Sequence, residues 1–431
     1  MSEKQKFYID TFGCQMNVHD SEKIAGVMND YGYSLTNDPK EADLIIYNTC
    51  SIRQKAEQKF YSELGRVKSY KKRNPSLKIA VAGCIAQQQG KEIFRRAPHV
   101  DIVFGPQNIH LLPDLIKNRQ KVAANHDNQL IAEHDLPAMR NSGCKAWVSI
   151  MYGCDNFCSY CIVPYTRGRE RSRPSENILR EIKELAEKGF KEVTLLGQNV
   201  NSYTSDTDFP GLLRMINRLN GIERIRFVTS HPRDLSDALM SAISELEKVC
   251  ECLHLPMQTG STRVLGLMNR GYTYNEYRKK VVKLKDLTPD MSITTDIIAG
   301  FPGETEDDHK QSVDALREIE FDGIFAFKYS PRPGTVASDM EGQLDEKTKS
   351  ARLAEILDVQ DSITLKTNNK INNTIQEILV EGPSETDESM LTGRTRTNKV
   401  VNFKGDKDLT GNIINLKITE VKRHSFTGVI L

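Results

Sequence analysis

The sequence has no excess of charge of either sign and no long apolar run. Its 59 lysines and arginines against 58 aspartates and glutamates leave a formal net charge of +1, which excludes a strongly basic coat and a disordered polyelectrolyte. No apolar stretch approaches the roughly 18 residues that a membrane span needs. We therefore expect a globular protein without a membrane segment, in which any contact with nucleic acid is confined to local patches.

A secretory signal is also missing, and the cysteines must be interpreted accordingly. The first residues, MSEKQKFYIDTFGC, contain neither an apolar core of signal-peptide length nor a small-residue cleavage site. We therefore expect the protein in the cytoplasm, where structural disulfides are disfavoured. Nine cysteines cannot pair completely within one chain in any case. Metal binding, catalysis or simple burial is expected to account for them.

Three short apolar runs near the amino terminus each end in a cysteine. They are KFYIDTFGC, ADLIIYNTC and LKIAVAGC, which end at Cys14, Cys50 and Cys84, with helical patterns between them. Strands that alternate with helices predict an α/β domain with a parallel, flavodoxin-like sheet, whose strands end at one edge. We assign residues 1–125 to this domain and expect all three cysteines at that edge. These three cysteines could hold an iron-sulfur cluster, or they could be small buried thiols that end strands.

The rest of the chain predicts two further domains. A polar stretch from about Asn118 to Gly143 indicates a linker or a covering loop, and we assign residues 126–143 to it. Six candidate strands separated by helical patterns fill residues 144–365 and predict a partial (β/α)6 barrel, open because a complete barrel needs eight units. Its strands are predicted at 147–151, 192–197, 225–229, 252–257, 293–299 and 323–329. Residues 366–431 have short alternating runs that predict a small all-β barrel of the OB type.

A CxxxCxxC pattern formed by Cys154, Cys158 and Cys161 follows the first predicted barrel strand. Three thiolates fit an iron-sulfur cubane with one open iron, whereas structural zinc normally has four protein ligands. The open iron could chelate S-adenosylmethionine (SAM), whose cleavage by an electron from the cluster gives a deoxyadenosyl radical. A zinc site with a fourth ligand from elsewhere and unrelated buried thiols are the alternatives.

This pattern resembles the signature of the radical SAM superfamily, with Tyr160 as the aromatic residue before the last cysteine. The resemblance implies that SAM lies at the carboxyl ends of the barrel strands, where GQN, TSHP, HLPMQTGS and TDIIAGFPGET close predicted strands. The alternative to a SAM contact is a purely structural role at each position: a glycine could merely turn the chain, and the histidine could be a loop residue with its own hydrogen-bond partners. The implied cofactor-binding residues are Tyr160, Gly197, Gln198, Asn199, Ser230, His231, Gln258 and Gly300.

Nearly the whole chain resembles the methylthiotransferase family, through TFGCQMNVHDSE, NTCSIRQKAEQK, AGCIAQQQG and VDIVFGPQNIH. CQMN and SIRQKAEQK favour the branch of the family that methylthiolates carbon 2 of N6-isopentenyladenosine in tRNA. At the first cysteine, the branch that acts on threonylcarbamoyladenosine tends to have the sequence GCKVN, and the branch that acts on a ribosomal protein tends to have GCPKN. The resemblance implies two 4Fe-4S clusters and two SAM molecules. One cluster, on the CxxxCxxC cysteines, would generate the radical, and the other, on Cys14, Cys50 and Cys84, would hold the sulfur to be methylated and transferred.

The resemblance also implies partners. These are a tRNA anticodon stem-loop, an electron donor such as flavodoxin or ferredoxin, and a sulfur source that repairs the second cluster. Arg167 and Arg169, just behind the CxxxCxxC motif, are predicted to contact RNA phosphates. The carboxyl-terminal barrel resembles a TRAM domain, an RNA-binding module, whose Arg394 and Arg396 could follow the RNA backbone, although the barrel could equally be a packing lid.

Two rival functions stay open at this point. One is a sister methylthiotransferase that acts on threonylcarbamoyladenosine in tRNA. The other is a non-catalytic iron-sulfur protein that binds RNA. Beyond the six cluster ligands, the sequence identifies no catalytic residue.

Overall fold

The computed structural model describes most of the 431-residue chain as two compact units. The first contains Met1–Asn141, Tyr152–Asp155 and Ile162–Arg171, and the second contains Ser142–Met151, Asn156–Cys161 and Ser172–Leu431. The CxxxCxxC segment therefore contributes residues to both units. The described residues are 4–51, 54–118, 120–128, 130–133, 135–140 and 142–431, with the backbone alone described at 54–56.

The first unit is built on a six-stranded parallel sheet. Its strands are β1 (Lys6–Phe12), β2 (Ser34–Leu35), β3 (Leu44–Thr49), β4 (Lys78–Gly83), β5 (Ile102–Phe104) and β6 (Val122–Ala124). Their spatial order is β2-β1-β3-β4-β5-β6. The first five follow the 2-1-3-4-5 order of flavodoxin-like sheets, so the predicted fold of this domain is confirmed.

Helices and apolar cores cover both faces of this sheet. The helices are α1 (Gln15–Asp30), α2 (Gln54–Arg73), α3 (Cys84–Gln89), α4 (Glu92–Arg96), α5 (Leu112–Lys117) and α6 (Val163–Arg167). Ile24 and Met28 of α1 pack on one face with Ile46, whereas Phe60 and Leu64 of α2 pack on the other. The i, i+4 spacing of these residues places each pair on one side of its helix, as the sequence pattern predicts.

The polar stretch after Asn118 contains one strand that the sequence analysis missed. β6 pairs in parallel with β5, but its three residues are too few to show an alternation between polar neighbours. Farther on, the Met139 amide donates to the Glu22 carbonyl at 2.9 Å and the Arg140 guanidinium donates to the Glu22 carboxylate at 3.0 Å. The described part of 126–140 therefore covers α1, which favours the covering-loop interpretation over a free linker.

The second unit begins with the predicted partial barrel. Its strands are β7 (Lys145–Ser149), β10 (Glu192–Leu196), β11 (Arg224–Phe227), β12 (Cys252–His254), β13 (Ser292–Ala299) and β14 (Gly323–Lys328), and two short strands, β8 (Met151–Tyr152) and β9 (Arg171–Ser172), form a separate pair. The six long strands are parallel within two arcs, β7-β10-β11 and β12-β13-β14. Backbone hydrogen bonds from Ile225 to Lys248 and from Cys250 to Ile225 join the arcs. The prediction of a six-stranded open barrel is confirmed.

Helices pack around these strands and enclose the largest apolar core of the chain. They are α7 (Ser175–Glu187), α8 (Phe209–Asn217), α9 (Asp237–Glu245), α10 (Thr262–Leu267), α11 (Tyr274–Leu287), α12 (Glu306–Ile319) and α13 (Glu346–Asn369). α13 runs across the border predicted at residue 365, so the barrel domain and the carboxyl-terminal domain share a continuous helix. Among the described residues, no helix is both long and apolar enough to cross a membrane.

The carboxyl-terminal residues form a closed five-stranded barrel, as predicted. Its strands are β15 (Ile375–Pro383), β16 (Leu391–Thr395), β17 (Val400–Phe403), β18 (Ile413–Val421) and β19 (Phe426–Ile430), in the order β15-β16-β17-β19-β18. The turn between β16 and β17 lies against the amino-terminal ends of the (β/α) barrel strands. There the Arg226 guanidinium donates to the Thr395 carbonyl at 2.7 Å, and the Lys399 ammonium donates to Asp322 at 2.8 Å.

Candidate functional site

Cys14, Cys50 and Cys84 follow three neighbouring strands of the first unit. Phe12 of β1 pairs with Thr49 of β3, and Thr49 pairs with Gly83 of β4. The three strands therefore end side by side, and a cysteine follows each end within two residues. This is the common edge that the alternation of strands and helices predicts.

Two asparagines tie these strand ends together. The Cys14 thiol donates to Asn17 Oδ1 at 3.3 Å, and Asn17 Nδ2 donates to the Thr49 carbonyl at 3.1 Å. Asn48 Nδ2 in turn donates to the Asn17 carbonyl at 2.7 Å. Both asparagines are completely buried. The network therefore joins the backbone on either side of Cys14 and Cys50.

The residue before Cys84 must be glycine. Gly83 has φ +90°, and a Cβ atom there would lie 2.3 Å from the Thr49 carbonyl oxygen. A side chain at this position would combine an unfavourable backbone conformation with a clash against the neighbouring strand. The AGC motif therefore lets β4 end close to β3, and Cys84 begins α3 next to the end of β3.

A buried arginine supplies positive charge beside these thiols. Arg167 Nη2 forms an ion pair with Asp20 Oδ2 at 2.7 Å, and the two side chains are 6% and 5% exposed. The pKa of the Cys14 thiol is lowered to about 6, first by a hydrogen bond with Cys50 and then, against burial, by the Arg167 charge. Burial raises the pKa of Cys84, although Arg167 opposes the shift. The site thus favours the thiolate form at Cys14, the form that binds iron.

The donor set fits an iron-sulfur cluster better than a single metal ion. None of the nine cysteines forms a disulfide, and three of them lie at this edge next to a cation. Among the described residues, no three His, Cys, Asp or Glu side chains converge on one metal ion. A cubane does not need such convergence, because each thiolate binds a different iron atom.

In the second unit, a loop after α10 supports part of the CxxxCxxC segment. The Ser159 hydroxyl donates to the Leu267 carbonyl at 2.8 Å, and the Ser159 amide donates to the Met268 carbonyl at 3.0 Å. Asn269 Nδ2 donates to the Phe157 carbonyl at 3.1 Å. These contacts hold the backbone on both sides of Cys158. Cys154 belongs to the first unit, where its amide donates to the Gly168 carbonyl at 3.2 Å.

Arg270 continues this loop and reaches a cysteine sulfur. Its Nη1 lies 3.4 Å from Cys158 Sγ and 3.5 Å from the Tyr160 hydroxyl. Nη2 donates to the Pro256 carbonyl at 2.9 Å, and Nε donates to the Tyr272 hydroxyl at 3.1 Å. The guanidinium therefore connects a predicted cluster ligand with Tyr160, a predicted cofactor contact.

The carboxyl ends of β10 and β11 present buried polar atoms without partners. Within the described residues, these atoms are Asn199 Oδ1, Ser230 Oγ and His231 Nε2. Burial of an unpaired polar atom costs about 1–3 kcal/mol, so a ligand that pairs with them is expected. SAM, with its amino, carboxylate, ribose and adenine groups, offers both donors and acceptors. These three residues are among those that the radical SAM resemblance implied.

His231 is neutral in this environment. Burial, followed by the charge of Arg270, lowers the pKa of His231 to about 2. His231 Nδ1 accepts a hydrogen bond from the Arg233 amide at 3.2 Å. The proton of the neutral ring must therefore lie on Nε2, the buried atom without a partner. His231 thus offers a hydrogen-bond donor to a ligand at the end of β11.

The other predicted cofactor residues also lie at strand ends. Gly197 and Gln198 follow β10, Gln258 pairs with β13 through Ile297, and Gly300 follows β13. The Gly300 amide donates to the Glu304 carboxylate at 3.0 Å. Tyr160 contacts the Phe301 ring edge-on, with ring centroids 6.5 Å apart. Their contacts with SAM stay predictions.

The two arginines behind the CxxxCxxC motif that are predicted to contact RNA differ in their exposure to solvent. Arg169 pairs with Asp155 at 2.7 Å, but its side chain is 69% exposed. Arg167 is buried beside the amino-terminal thiols and pairs with Asp20. An RNA contact stays a prediction for both arginines.

The two arginines of the carboxyl-terminal barrel have partners within the protein. Arg396 donates to both carboxylate oxygens of Glu251 at 2.8 Å and to the Val249 carbonyl at 2.9 Å. Arg394 lies 3.2 Å from Glu381. The contacts of Arg396 match the alternative that this barrel packs against the larger one, and RNA binding by either arginine stays a prediction.

One face of β13 and β14 carries exposed aromatic side chains. Phe325 and Phe327 alternate along β14 and are 54% and 45% exposed, and they pair in register with Asp296 and Ile298 of β13. The intervening Ile324 and Ala326 pack on the apolar core. Because helices cover the core side, the two phenylalanines face the inside of the barrel. This face therefore presents two aromatic rings beside polar groups, since Asp296 lies opposite Phe325 and the His254 ring lies 5.7 Å from the Phe325 ring.

Several residues that the structure brings to these sites were not predicted from the sequence. Asp20, Asn48 and Arg270 belong to no spacing pattern, and Arg270 lies 109 residues after Cys161 in the sequence. Asn17 lies within CQMN, but only the strand register shows that it binds the end of β3. For Asp20 and Arg270, the sequence offers no signal beyond a charged residue in a segment that folds into the core.

Three sequence patterns of known families match the chain. The uncharacterized protein family UPF0004 matches residues 6–105, the radical SAM superfamily matches residues 148–316, and the TRAM domain matches residues 370–431. The first covers the three-cysteine sheet edge, and the second covers the partial barrel. The third agrees with the closed five-stranded barrel.

Relatives and solved structures extend this similarity. The chain is 52% identical over 426 residues to the tRNA-2-methylthio-N(6)-dimethylallyladenosine synthase of Thermodesulfovibrio yellowstonii, covering 98% of each chain. It is 50% identical to the synthase of the same name from Syntrophus aciditrophicus, covering 100% of this chain and 95% of the relative.

A solved structure agrees with the fold. It is the radical S-adenosylmethionine methyltransferase TsrM of Kitasatospora setae, which matches with a TM-score of 0.57 at 13% identity and covers 78% of this chain and 77% of that one. Such low identity supports the fold alone. Together with the full-length relatives, these findings show that the chain belongs to the MiaB-type methylthiotransferases, the radical SAM family named tRNA-2-methylthio-N(6)-dimethylallyladenosine synthases.

Proposed function

We propose that this protein attaches a methylthio group to carbon 2 of N6-dimethylallyladenosine, also called N6-isopentenyladenosine, in tRNA. One observation carries the proposal: the chain matches synthases of that name over its full length at about 50% identity. The six cysteines give the proposal its chemical content. Carbon 2 of adenine has no acidic proton, so acid-base catalysis alone cannot replace its hydrogen, and radical chemistry is required.

We assign each trio of cysteines to a cluster. Cys154, Cys158 and Cys161 would hold the 4Fe-4S cluster of the radical SAM family, and Cys14, Cys50 and Cys84 would hold a second one. When bound, these groups and SAM supply the electron, the radical chemistry and the sulfur of the reaction. The protein's own part is to fix the thiolates on a rigid sheet edge and to place hydrogen-bonding groups for SAM at the barrel strand ends, where Asn199, Ser230 and His231 are suited to that role.

The barrel interior supports an apolar substrate group. A dimethylallyl chain can pack on Phe325 and Phe327, and an adenine ring can stack on an aromatic side chain once it leaves the loop stack. A threonylcarbamoyl group carries a carboxylate, which would lie against the two rings and close to the Asp296 carboxylate, opposite Phe325, where burial of a second negative charge is costly. This difference favours the dimethylallyl substrate over that of the sister branch.

The remaining partners follow from the proposed reaction. A tRNA is the substrate, an electron donor such as flavodoxin or ferredoxin must reduce the radical SAM cluster, and a sulfur source must repair the second cluster after each turnover. The cytoplasm is the proposed location.

A nucleoside analysis of modified tRNA tests this function. We expect the reconstituted, reduced protein to add a methylthio group to tRNA that carries N6-dimethylallyladenosine, with a preference of about 100-fold or more over threonylcarbamoyladenosine tRNA, because the latter buries a charge. Mass spectrometry of digested tRNA measures both products, and deoxyadenosine formed from SAM is measured in the same reaction. Preferential modification of the threonylcarbamoyl substrate would favour the sister function. RNA binding without deoxyadenosine would favour the non-catalytic protein.

A further inference from the structure

We propose that Arg270 is a positioning residue of the radical SAM cluster, which hydrogen-bonds the sulfur of Cys158 and raises the reduction potential of the cluster. The inference rests on the proposed function, because it needs the cluster to lie on Cys154, Cys158 and Cys161. It goes beyond that function by assigning a role to a residue outside the cysteine motif and outside the predicted SAM contacts.

Arg270 is a buried cation that has no carboxylate partner in the part of the chain that the structure describes. The side chain is 5% exposed. The ionisable groups that act most strongly on its charge are Tyr160, Tyr272 and Cys158, and the neutral His231 and Tyr277 are also close enough to feel that charge. Burying an unpaired charge is strongly unfavourable. An anion beside the guanidinium would remove this cost, and the sulfur of Cys158, once bound to iron as a thiolate, is such an anion at 3.4 Å.

Groups other than the cysteine hold the guanidinium of Arg270 in place. The Pro256 carbonyl accepts from Nη2, and the Tyr272 hydroxyl accepts from Nε. The Tyr272 ring also lies 5.4 Å from the guanidinium carbon. Nη1 is thereby aimed at Cys158 by fixed neighbours, so the hydrogen bond to sulfur requires no rearrangement when a cluster binds.

The loop that contains Arg270 also holds the CxxxCxxC segment. The carbonyls of Leu267 and Met268 accept hydrogen bonds from Ser159, and Asn269 donates to the carbonyl of Phe157. Residues 267–270 therefore fix both the backbone around Cys158 and the cation beside its sulfur. A loop that only closed the fold would not need to place a charged group there.

The expected consequence is electrostatic. Reduction adds one electron to the cluster, and a nearby N–H donor or positive charge stabilises the more negative state. Hydrogen bonds to cluster sulfurs and the surrounding charge are known to set reduction potentials. Arg270 should therefore make the cluster easier to reduce, which favours the transfer of an electron from the physiological donor.

The test uses the full chain with Cys14, Cys50 and Cys84 replaced by Ala, so that only the radical SAM cluster can form. Its potential is measured without SAM by a redox titration followed by electron paramagnetic resonance. In this parent, R270Q should lower the ratio of reduced to oxidised cluster about tenfold at a fixed potential, which equals about 59 mV for one electron. R270K should give a smaller shift in the same direction, because the ammonium keeps the charge but loses the planar set of donors.

The matched control is Arg233→Gln, which removes the same charge from the turn that follows β11. Arg233 donates to Asn156, but its side chain is 51% exposed and pairs with Asp234. No described contact joins it to a cysteine sulfur. The reduction potential of the cluster in the Arg233→Gln variant should equal that of the parent, because an exposed charge is screened by solvent.

The outcomes separate the inference from the proposed function. A parent that binds about four irons, together with an R270Q potential equal to that of the Arg233 control, would overturn the role of Arg270 alone. If the R270Q variant does not retain its cluster, the R270K variant provides the test. A reduction potential of R270K equal to that of the parent would then overturn the role of Arg270. A parent that binds no reducible cluster would contradict the proposed cluster placement, and the inference would fail with it.

Discussion

Replacing Cys158 by Ala should abolish the formation of deoxyadenosine from SAM, whereas replacing Cys14, Cys50 or Cys84 by Ala should leave it in place. The two trios are assigned to different tasks, so their loss should have different effects. Without Cys158, the radical SAM cluster loses a protein ligand, and SAM can be neither bound at an open iron nor reduced. Without one cysteine of the sheet edge, radicals still form, but no sulfur is available for transfer.

Two products distinguish these effects. Deoxyadenosine is measured by chromatography, and the methylthio nucleoside is measured by mass spectrometry of the digested tRNA. Both should fall to the background of cluster-free protein in the Cys158 variant. Only the methylthio nucleoside should fall to background in the Cys14, Cys50 and Cys84 variants.

Cys144→Ala is the matched control for these variants. Cys144 is buried and its thiol lies 3.6 Å from the Ser142 hydroxyl, but it belongs to neither trio. Its replacement should preserve both products. Equal loss of deoxyadenosine in both sets of variants would contradict the division of tasks between the trios.

Replacing Arg167 by Ala should destabilise the first unit by about 3–5 kcal/mol, the range found when one member of a buried ion pair is removed. The change leaves the Asp20 carboxylate buried without its partner at 2.7 Å. It also removes the positive charge beside Cys14 and Cys84. Because a chain of two units does not unfold in one step, the effect is best measured by hydrogen exchange of the α1 amides, which reports local opening.

Arg169→Ala provides the control for this variant. Arg169 lies two residues away and also forms an ion pair, with Asp155, but its side chain is 69% exposed. An exposed pair contributes about 0–1 kcal/mol, so exchange in α1 should be unchanged. If Arg167→Ala left α1 exchange unchanged and instead weakened tRNA binding, the structural role would be wrong, and the original expectation of an RNA contact would be correct.

The fate of Arg167 illustrates what the sequence could and could not predict. Its place just behind the CxxxCxxC motif, close to Arg169, predicted a contact with RNA phosphates. In the structure, α6 packs beside α3, and Arg167 pairs with Asp20 from α1. The two residues are 147 positions apart, and no local pattern reports a contact of that range.

The cysteines were predictable for a different reason. Three apolar runs, each ending in a cysteine and separated by helical patterns, suffice to predict a parallel sheet, and the topology of such a sheet brings the strand ends together. β6 was missed because three residues between polar neighbours carry no periodic signal. Arg396 was assigned to RNA on charge alone, and its contacts with Glu251 became visible only once the two barrels were placed side by side.

The central claim is that this chain holds two iron-sulfur clusters on two separate trios of cysteines. Counting iron and sulfide on anaerobically prepared protein tests it most directly. We expect about eight irons and eight sulfides per chain, the content of two cubanes, and about four of each after Cys14, Cys50 and Cys84 are replaced by Ala. About four irons in the unaltered protein, with no decrease in that triple variant, would contradict the claim.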